Sequence, residues 1–189
     1  MRKKTEYLTT AEKAKLARRR RLALDFAKVY PGCFVATGLL TLFAIYMTGD
    51  FYHAFSAERA AATVGVFVIN AVLVAFLVAS AHYSAEESRF AVRNTVLAFV
   101  MMAITYIACL TTSRFLNVFA LPMCIASLVT TELSERKTST IISLTLAAML
   151  SVVFIHGEYY PDNVLPEVIL SIVGNFTAAL AVTMLVDKH

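Results

Sequence analysis

Long apolar segments, separated by short charged ones, make up most of this chain. Six intervals are free of Asp, Glu, Lys and Arg, and they hold 21, 26, 20, 17, 20 and 19 residues. At 1.5 Å per helical residue, each interval can cross a hydrocarbon core of about 30 Å, the 17-residue one only barely. The pattern therefore predicts an all-α, polytopic membrane protein with six transmembrane helices. In chain order, the intervals lie between Lys28 and Asp50, Arg59 and Glu86, Arg93 and Arg114, Arg114 and Glu132, Lys137 and Glu158, and Glu167 and Asp187.

The composition agrees with a membrane protein. Hydrophobic residues occupy 59% of the 189 positions and charged residues 16%, whereas a soluble domain is about a quarter charged. The first apolar segment lacks a cleavage site of the A-x-A type, which indicates a retained span rather than a removed signal peptide. We therefore expect a basic, cytoplasmic or interfacial N-terminal helix over 1–28 and a six-helix transmembrane domain over 29–189.

The basic residues are distributed unequally along this pattern. Residues 1–28 hold ten of the 17 Lys and Arg residues. If that end lies in the cytoplasm, 15 of the 17 are cytoplasmic, and only Arg59 and Arg114 lie outside. Because basic residues concentrate on the cytoplasmic side of membrane proteins, both termini are predicted to be cytoplasmic.

The basic N-terminal segment itself predicts a helix along or into the membrane surface. Thr9 and Glu12 form a capping-box pattern, and strong helix formers follow. The segment contains four consecutive arginines, Arg18, Arg19, Arg20 and Arg21. We expect them to bind anionic lipids, each charge contributing about 1 kcal/mol near the surface. Docking to a partner is the alternative, and nucleic-acid binding is disfavoured because no aromatic residues alternate with the arginines.

Two prolines bear on where the helices begin. Pro31 fits the first turn of the first span, where its missing N–H has no intrahelical partner to lose. Pro122 lies about eight residues into the fourth interval. It is expected either to kink the fourth helix or to delay its start, which would shorten an already short span.

Small residues recur at every fourth position on three predicted helices, and such ridges allow helix backbones to approach closely. We expect them to pack helices within the chain, with docking to another membrane or cytoplasmic subunit as the alternative. Three asparagines in or near the spans are expected to form hydrogen bonds between helices. The ridges comprise Ala71, Ala75 and Ala79, then Ser143, Ala147 and Ser151, then Gly174 and Ala178, and the asparagines are Asn70, Asn117 and Asn175.

The sequence contains no recognisable catalytic or metal-binding pattern. No Asp, Glu, Lys or Arg lies in the middle of a span, which disfavours a proton relay or an ion-coupled pump. Cys33, Cys109 and Cys124 lie in apolar segments without a C-x-x-C pattern, so buried thiols are expected rather than disulfides or metal ligands. We predict no enzymatic activity, no metal and no cofactor.

One polar segment, "HGEYYPDNVLPE" at 156–167, could form the lip of a small-ligand site. Tyr159 and Tyr160 would supply amphipathic rings, and Asn175, about two turns into the sixth helix, a hydrogen-bonding amide. In size, helix number and cytoplasmic ends, the chain is similar to the substrate-binding subunits of energy-coupling-factor vitamin transporters. That similarity implies an outward-facing ligand site, and a structural subunit of a membrane complex is a further alternative.

The stretch from 114 to 188 resembles the membrane region of bacterial seven-transmembrane HD-domain sensors. The resemblance is carried by "FALPMCIASLVTTELSERKTSTIISLTLAAML" and "ILSIVGNFTAALAVTML", where Pro122, the turn at 132–138 and Gly174 follow the family's order. In that family a cytoplasmic HD domain hydrolyses cyclic dinucleotides. No His-Asp dipeptide occurs in this chain. The resemblance therefore implies a non-catalytic sensory or anchoring module of a bacterial inner membrane.

Overall fold

The protein folds as a bundle of α-helices. The computed structural model describes residues 10–48, 51–57, 59–84, 88–115, 122–133, 136–156 and 165–186. Within these ranges the chain forms seven helices and no strand, which confirms the all-α prediction. The helices are α1 (Thr10–Met47), α2 (Phe51–Ala54), α3 (Ala60–Ser84), α4 (Ser88–Phe115), α5 (Cys124–Leu133), α6 (Arg136–His156) and α7 (Leu165–Val186).

Four helices contain segments that are long and apolar enough to cross a membrane. These segments have 19 to 25 residues, and α7 adds a shorter apolar stretch, Ile169–Leu185. Their lengths and compositions indicate an integral membrane protein. The four segments are Ala23–Met47 in α1, Ala60–Tyr83 in α3, Ala91–Phe115 in α4 and Thr138–His156 in α6.

The basic segment and the first apolar span form one continuous helix, α1, of 38 residues. It begins at Thr10, next to Thr9 of the predicted capping box, which lies outside the described residues. Pro31 is inside α1 rather than in its first turn, so that prediction was wrong. The strong helix formers of the basic segment start the helix about five turns earlier. Pro31 therefore costs α1 one internal hydrogen bond, the one that would reach the carbonyl of Ala27.

The fourth apolar interval contains only a short helix. The ten residues of α5 rise about 15 Å, half the thickness of a hydrocarbon core. Its first turn follows Pro122, whose carbonyl accepts a hydrogen bond of 3.2 Å from the amide of Ile125. Of the two effects expected from Pro122, the late helix start agrees with this structure.

The helices pack as two groups of three. α1, α3 and α4 contact one another, and so do α5, α6 and α7. α6 joins the two groups because it also packs along α3 and α4. The core therefore lies around α6 and the inner faces of α3 and α4, where Leu77, Met102, Leu146 and Met149 are fully buried.

Side-chain contacts fix the direction of each long helix. We call the end near Phe26 of α1 the basic end and the other the distal end. The ring of Phe26 lies 5.6 Å from that of His82, near the end of α3. His82 in turn contacts Thr95, near the start of α4, at the same end. α4 therefore finishes at the distal end.

The second group of helices follows the same two ends. His156, the last residue of α6, contacts Thr63, near the start of α3 at the distal end. Ser139, near the start of α6, contacts Thr183, near the end of α7, so both lie at the basic end. The chain between α4 and α6, which contains α5, consequently returns from the distal end to the basic end.

Aromatic clusters occupy both ends of the apolar segment of α1, Ala23–Met47. At the basic end, Phe26 stacks on Tyr30 with ring centroids 5.3 Å apart. At the distal end, the rings of Tyr46 and Phe51 are 6.4 Å apart. Tyr30 and Tyr46 are separated by 16 residues, about 24 Å along the helix. This spacing is close to the thickness of a hydrocarbon core flanked by two interfacial aromatic belts.

Candidate functional site

The predicted ligand residues fall into two sets. Tyr159 and Tyr160 lie outside the described residues. Asn175 is half-buried on α7, and its Nδ2 donates to the carbonyl of Ser171 at 2.9 Å. The same nitrogen lies 3.4 Å from the Ser171 hydroxyl oxygen. The amide of Asn175 is therefore engaged with the preceding turn of its own helix.

The four arginines predicted to bind lipid all lie within α1. The side chains of Arg20 and Arg21 are exposed, and those of Arg18 and Arg19 lie outside the described part of the chain. Arg20 and Arg21 are thus available to charged groups at the basic end of the bundle.

The three ridges of small residues occupy different surroundings. On α6, Ser143 is fully buried, so this ridge packs within the chain as expected. On α7, Gly174 and Ala178 are both exposed. On α3, Ala71 and Ala75 line a groove beside α1. Among the ridge residues only Ser143 is buried, whereas those of α3 and the other two of α6 are half-buried.

One hydrogen-bonding arrangement joins the long helices at several places: a threonine hydroxyl donates to a backbone carbonyl and accepts from a side chain of another helix. Thr41 of α1 donates its hydroxyl proton to the carbonyl of Thr37, four residues earlier, at 2.9 Å. Its oxygen then accepts from Nδ2 of Asn70 on α3 at 3.1 Å. A threonine hydroxyl has one proton but two acceptor lone pairs, so both bonds form at once. The contact confirms that Asn70 connects two helices.

The same arrangement fixes which atom donates in two histidine contacts, one of them buried and the other partly buried. Thr95 donates to the carbonyl of Ala91 at 2.8 Å, so at its 3.2 Å contact it can only accept from Nδ1–H of His82. Thr63 donates to the carbonyl of Ala54 and accepts from Nε2–H of His156. The sequence pattern did not single out these threonines, although hydroxyl residues inside apolar helices indicate possible hydrogen bonds between helices.

A few buried polar atoms have no hydrogen-bond partner within the described part of the chain. They include the side-chain amide oxygen of Asn70 and the hydroxyls of Thr105 and Tyr106. Leaving such a group unpaired costs about 1–3 kcal/mol. The fourth is the hydroxyl of Thr138, near the start of α6.

Asn70 and Tyr106 lie at the same level of the bundle. α3 and α4 are antiparallel and touch through His82 and Thr95. Asn70 precedes His82 by 12 residues and Tyr106 follows Thr95 by 11, so both lie about 17–18 Å from that contact. Eleven residues are also about three turns, which puts Tyr106 on the face of α4 that carries Thr95. Thr41 and Asn70, which are bonded to each other, and Tyr106 therefore lie at a similar depth inside an apolar bundle, and we call these three residues the polar layer.

The chemistry of this polar layer is that of neutral hydrogen-bonding groups. The side-chain amide oxygen of Asn70 can accept, and the hydroxyl of Tyr106 can donate or accept. Elsewhere in the described ranges, no group of three or more His, Cys, Asp or Glu side chains is arranged to hold a metal ion.

A groove on the outer surface lies between α1 and α3. Its volume is about 400 Å³ and its lining is almost entirely apolar. Two of the lining side chains carry a hydroxyl, those of Tyr30 and Thr37, and the hydroxyl of Thr37 is bonded to the carbonyl of Cys33 at 2.7 Å. The groove therefore offers a ligand mainly a concave shape and apolar contacts. Its walls are Tyr30, Phe34, Thr37 and Gly38 from α1 and Phe67, Val68, Ala71, Val72 and Ala75 from α3.

Comparisons with known proteins add no family to this description. No protein-family model matches the chain, and no curated protein or solved structure matches it either. The resemblance to HD-domain sensors and the similarity to vitamin-transporter subunits therefore remain hypotheses.

Proposed function

We propose that this protein is a non-catalytic module of a bacterial inner membrane, which anchors a partner or senses the state of the membrane. The observation that carries the proposal is the continuity of α1. Its 38 residues extend about 57 Å, longer than the 40–45 Å of a whole bilayer. One continuous helix, with Pro31 inside it, therefore connects the membrane-embedded groove with the basic segment outside the hydrocarbon core.

A continuous helix is a suitable element for anchoring or signalling. Rigid secondary elements carry coupling between distant sites when they have two discrete arrangements. A tilt of α1 against α3 would move Arg20 and Arg21 together with the span, because no break separates them. In the HD-domain sensors that the chain resembles, the membrane region precedes a cytoplasmic domain. The partner proposed here is a separate subunit, held near anionic lipid.

In this proposal the chain crosses the membrane six times, with both termini in the cytoplasm. The alternating directions of α1, α3, α4, α6 and α7 support this topology. The fourth crossing contains α5. The distribution of Lys and Arg favours the basic end as the cytoplasmic one, with 15 of 17 on that side.

Labelling of single cysteines tests this orientation. We expect Lys13→Cys and Ser134→Cys to react with a membrane-impermeant maleimide only after the cells are opened, and Asn163→Cys to react in intact cells whose outer membrane has been removed. The unsubstituted protein is the background control, because it contains three native thiols, of which Cys33 and Cys109 are buried and Cys124 is half-buried. If Lys13→Cys reacted in the intact cells, the basic segment would not be a cytoplasmic anchor and the proposed function would fail. Reaction of Ser134→Cys and Asn163→Cys from the same side would contradict the six-span topology.

A further inference from the structure

We propose that the groove between α1 and α3 binds one acyl chain of an anionic phospholipid from the leaflet at the basic end. This inference deepens the proposed function, and rests on it only in naming that leaflet as the cytoplasmic one. The first support is position, because the α1 wall of the groove lies wholly within the apolar segment Ala23–Met47. At that depth the surrounding medium is lipid.

The length of the groove matches one leaflet. From Tyr30 to Gly38 the α1 wall extends eight residues, about 12 Å along the helix axis. Half of a hydrocarbon core is about 15 Å thick. Tyr30 also belongs to the aromatic cluster at the basic end, where it stacks on Phe26. The groove therefore begins at the interface and ends near the middle of the bilayer.

The groove's shape favours a chain over another helix. A helix is about 10–12 Å wide with its side chains, and a packed helix pair needs a seam of several turns. This groove offers about two turns of α1. Its rim is formed by apolar side chains that remain 52–62% exposed, Phe34, Val68 and Val72. A flexible acyl chain fits this size and is always present around the bundle.

A positive charge lies on the same face as the groove. Arg20 and Gly38 are 18 residues apart, which is five helical turns, so they share one side of α1. Arg20 is exposed and sits about 15 Å from Tyr30 along the axis, beyond the hydrocarbon. A lipid whose chain enters at Tyr30 would have its head group on the side of the arginine. Cationic side chains near the surface attract anionic lipids.

Gly38 gives a direct way to close the groove. A Cβ atom at Gly38 would meet no atom within 4 Å, so a leucine there can extend into the groove without a clash at its Cβ. Gly32 is the matched control, because it lies on the same helix, is exposed and also has nothing within 4 Å. Both substitutions replace a helical glycine by leucine and change helix propensity equally.

The test is native mass spectrometry of the protein released from nanodiscs of equal parts phosphatidylglycerol and phosphatidylcholine. We expect the parent and Gly32→Leu to retain one phosphatidylglycerol, and Gly38→Leu to retain it at least tenfold less. Ala71→Leu closes the groove from the α3 side and should lose the lipid too. Equal retention of phosphatidylglycerol by Gly38→Leu and Gly32→Leu, whether both variants keep the lipid or both lose it, would overturn the proposed lipid site in the groove.

Two further outcomes separate the parts of the inference. Arg20→Gln should reduce the preference for phosphatidylglycerol over phosphatidylcholine about fivefold, the effect of one charge near the surface. An unchanged preference would overturn the role of Arg20. A dimer without lipid that Gly38→Leu abolishes would show that the occupant is a second copy of the chain. None of these results depends on the labelling experiment, so the groove and the membrane orientation can fail separately.

Discussion

α3 and α6 pack against each other, and their apolar segments have similar hydropathy, but they have different surroundings. The apolar segment of α3 has a mean hydropathy of 2.5 and 33% of its most apolar window is buried. For α6 the mean hydropathy is lower, 2.1, and 56% is buried. The more hydrophobic helix is thus the more peripheral one. In a bilayer, lipid tails solvate apolar side chains as well as the protein interior does, so hydrophobicity does not send a helix to the centre.

Close packing and hydrogen bonding decide which helix is central. α6 buries small and hydroxyl-bearing residues, among them Ser139, Ser143 and Thr145, which let α3 and α7 approach. α3 instead exposes large apolar side chains, including Val64, Val68 and Phe76. The comparison implies that substitutions on α6 act through packing, whereas substitutions on the outer face of α3 have little effect on stability.

The largest effect is expected for a cavity on α6. Leu146→Ala should lower the free energy of unfolding by about 2–5 kcal/mol, because Leu146 is fully buried and its loss leaves a void. Leu144→Ala is the matched control, two residues away on the same helix and 50% exposed. Reversible unfolding in mixed micelles would measure both. Equal losses for the two variants would mean that α6 is not the packed centre of the bundle.

A smaller loss of stability is expected when a larger side chain is placed on the α6 ridge. Ser143→Leu should destabilise the protein by about 1–3 kcal/mol, since a fully buried serine has no room for a larger side chain. Thr177→Leu on α7 is the control: Thr177 is exposed, and like Ser143 it bonds to the carbonyl four residues earlier. We expect a change within about 0.5 kcal/mol there. Should Ser143→Leu be as mild as the control in the same unfolding assay, the ridge does not set the distance between α6 and its neighbours.

The smallest effects concern the polar layer and should have opposite signs. Thr41→Val removes the acceptor of Asn70 and should cost about 0.6–1.7 kcal/mol, the range of hydrogen bonds between membrane helices. Tyr106→Phe removes a buried hydroxyl that has no partner among the described residues, so stability should stay equal or rise. A clear loss for Tyr106→Phe in the unfolding assay would indicate that this hydroxyl is satisfied, by water or otherwise.

Much of the helical architecture could be predicted from charges and apolar runs. The intervals after Arg59, Arg93 and Lys137 each cover most of one long helix of the bundle, although α4 and α6 begin before their intervals. The prediction was wrong at Pro31, because a proline alone does not mark a helix start when strong helix formers precede it. Six membrane crossings stay a prediction, since α5 alone is too short for one.

Little of the candidate site could be predicted. Ala71 and Ala75 were recognised as a ridge, but their spacing does not say whether another helix covers it. The pairing of Asn70 with Thr41 joins residues 29 positions apart, and no periodicity within one helix reveals such a partner. The groove is lined by residues of two helices, such as Gly38 of α1 and Phe67 of α3. Only the packing of those helices brings these residues to one groove.

By itself the sequence determined that this chain is helical, that it belongs in a membrane and where its basic residues concentrate. Those properties follow from backbone hydrogen bonding and side-chain transfer energies, which depend on local composition. Only the tertiary structure decided that α6 is central, that Thr41, Asn70 and Tyr106 form one layer, and that α1 and α3 leave a groove. These relations depend on helix register and rotation, which the uniform apolarity of the spans leaves open.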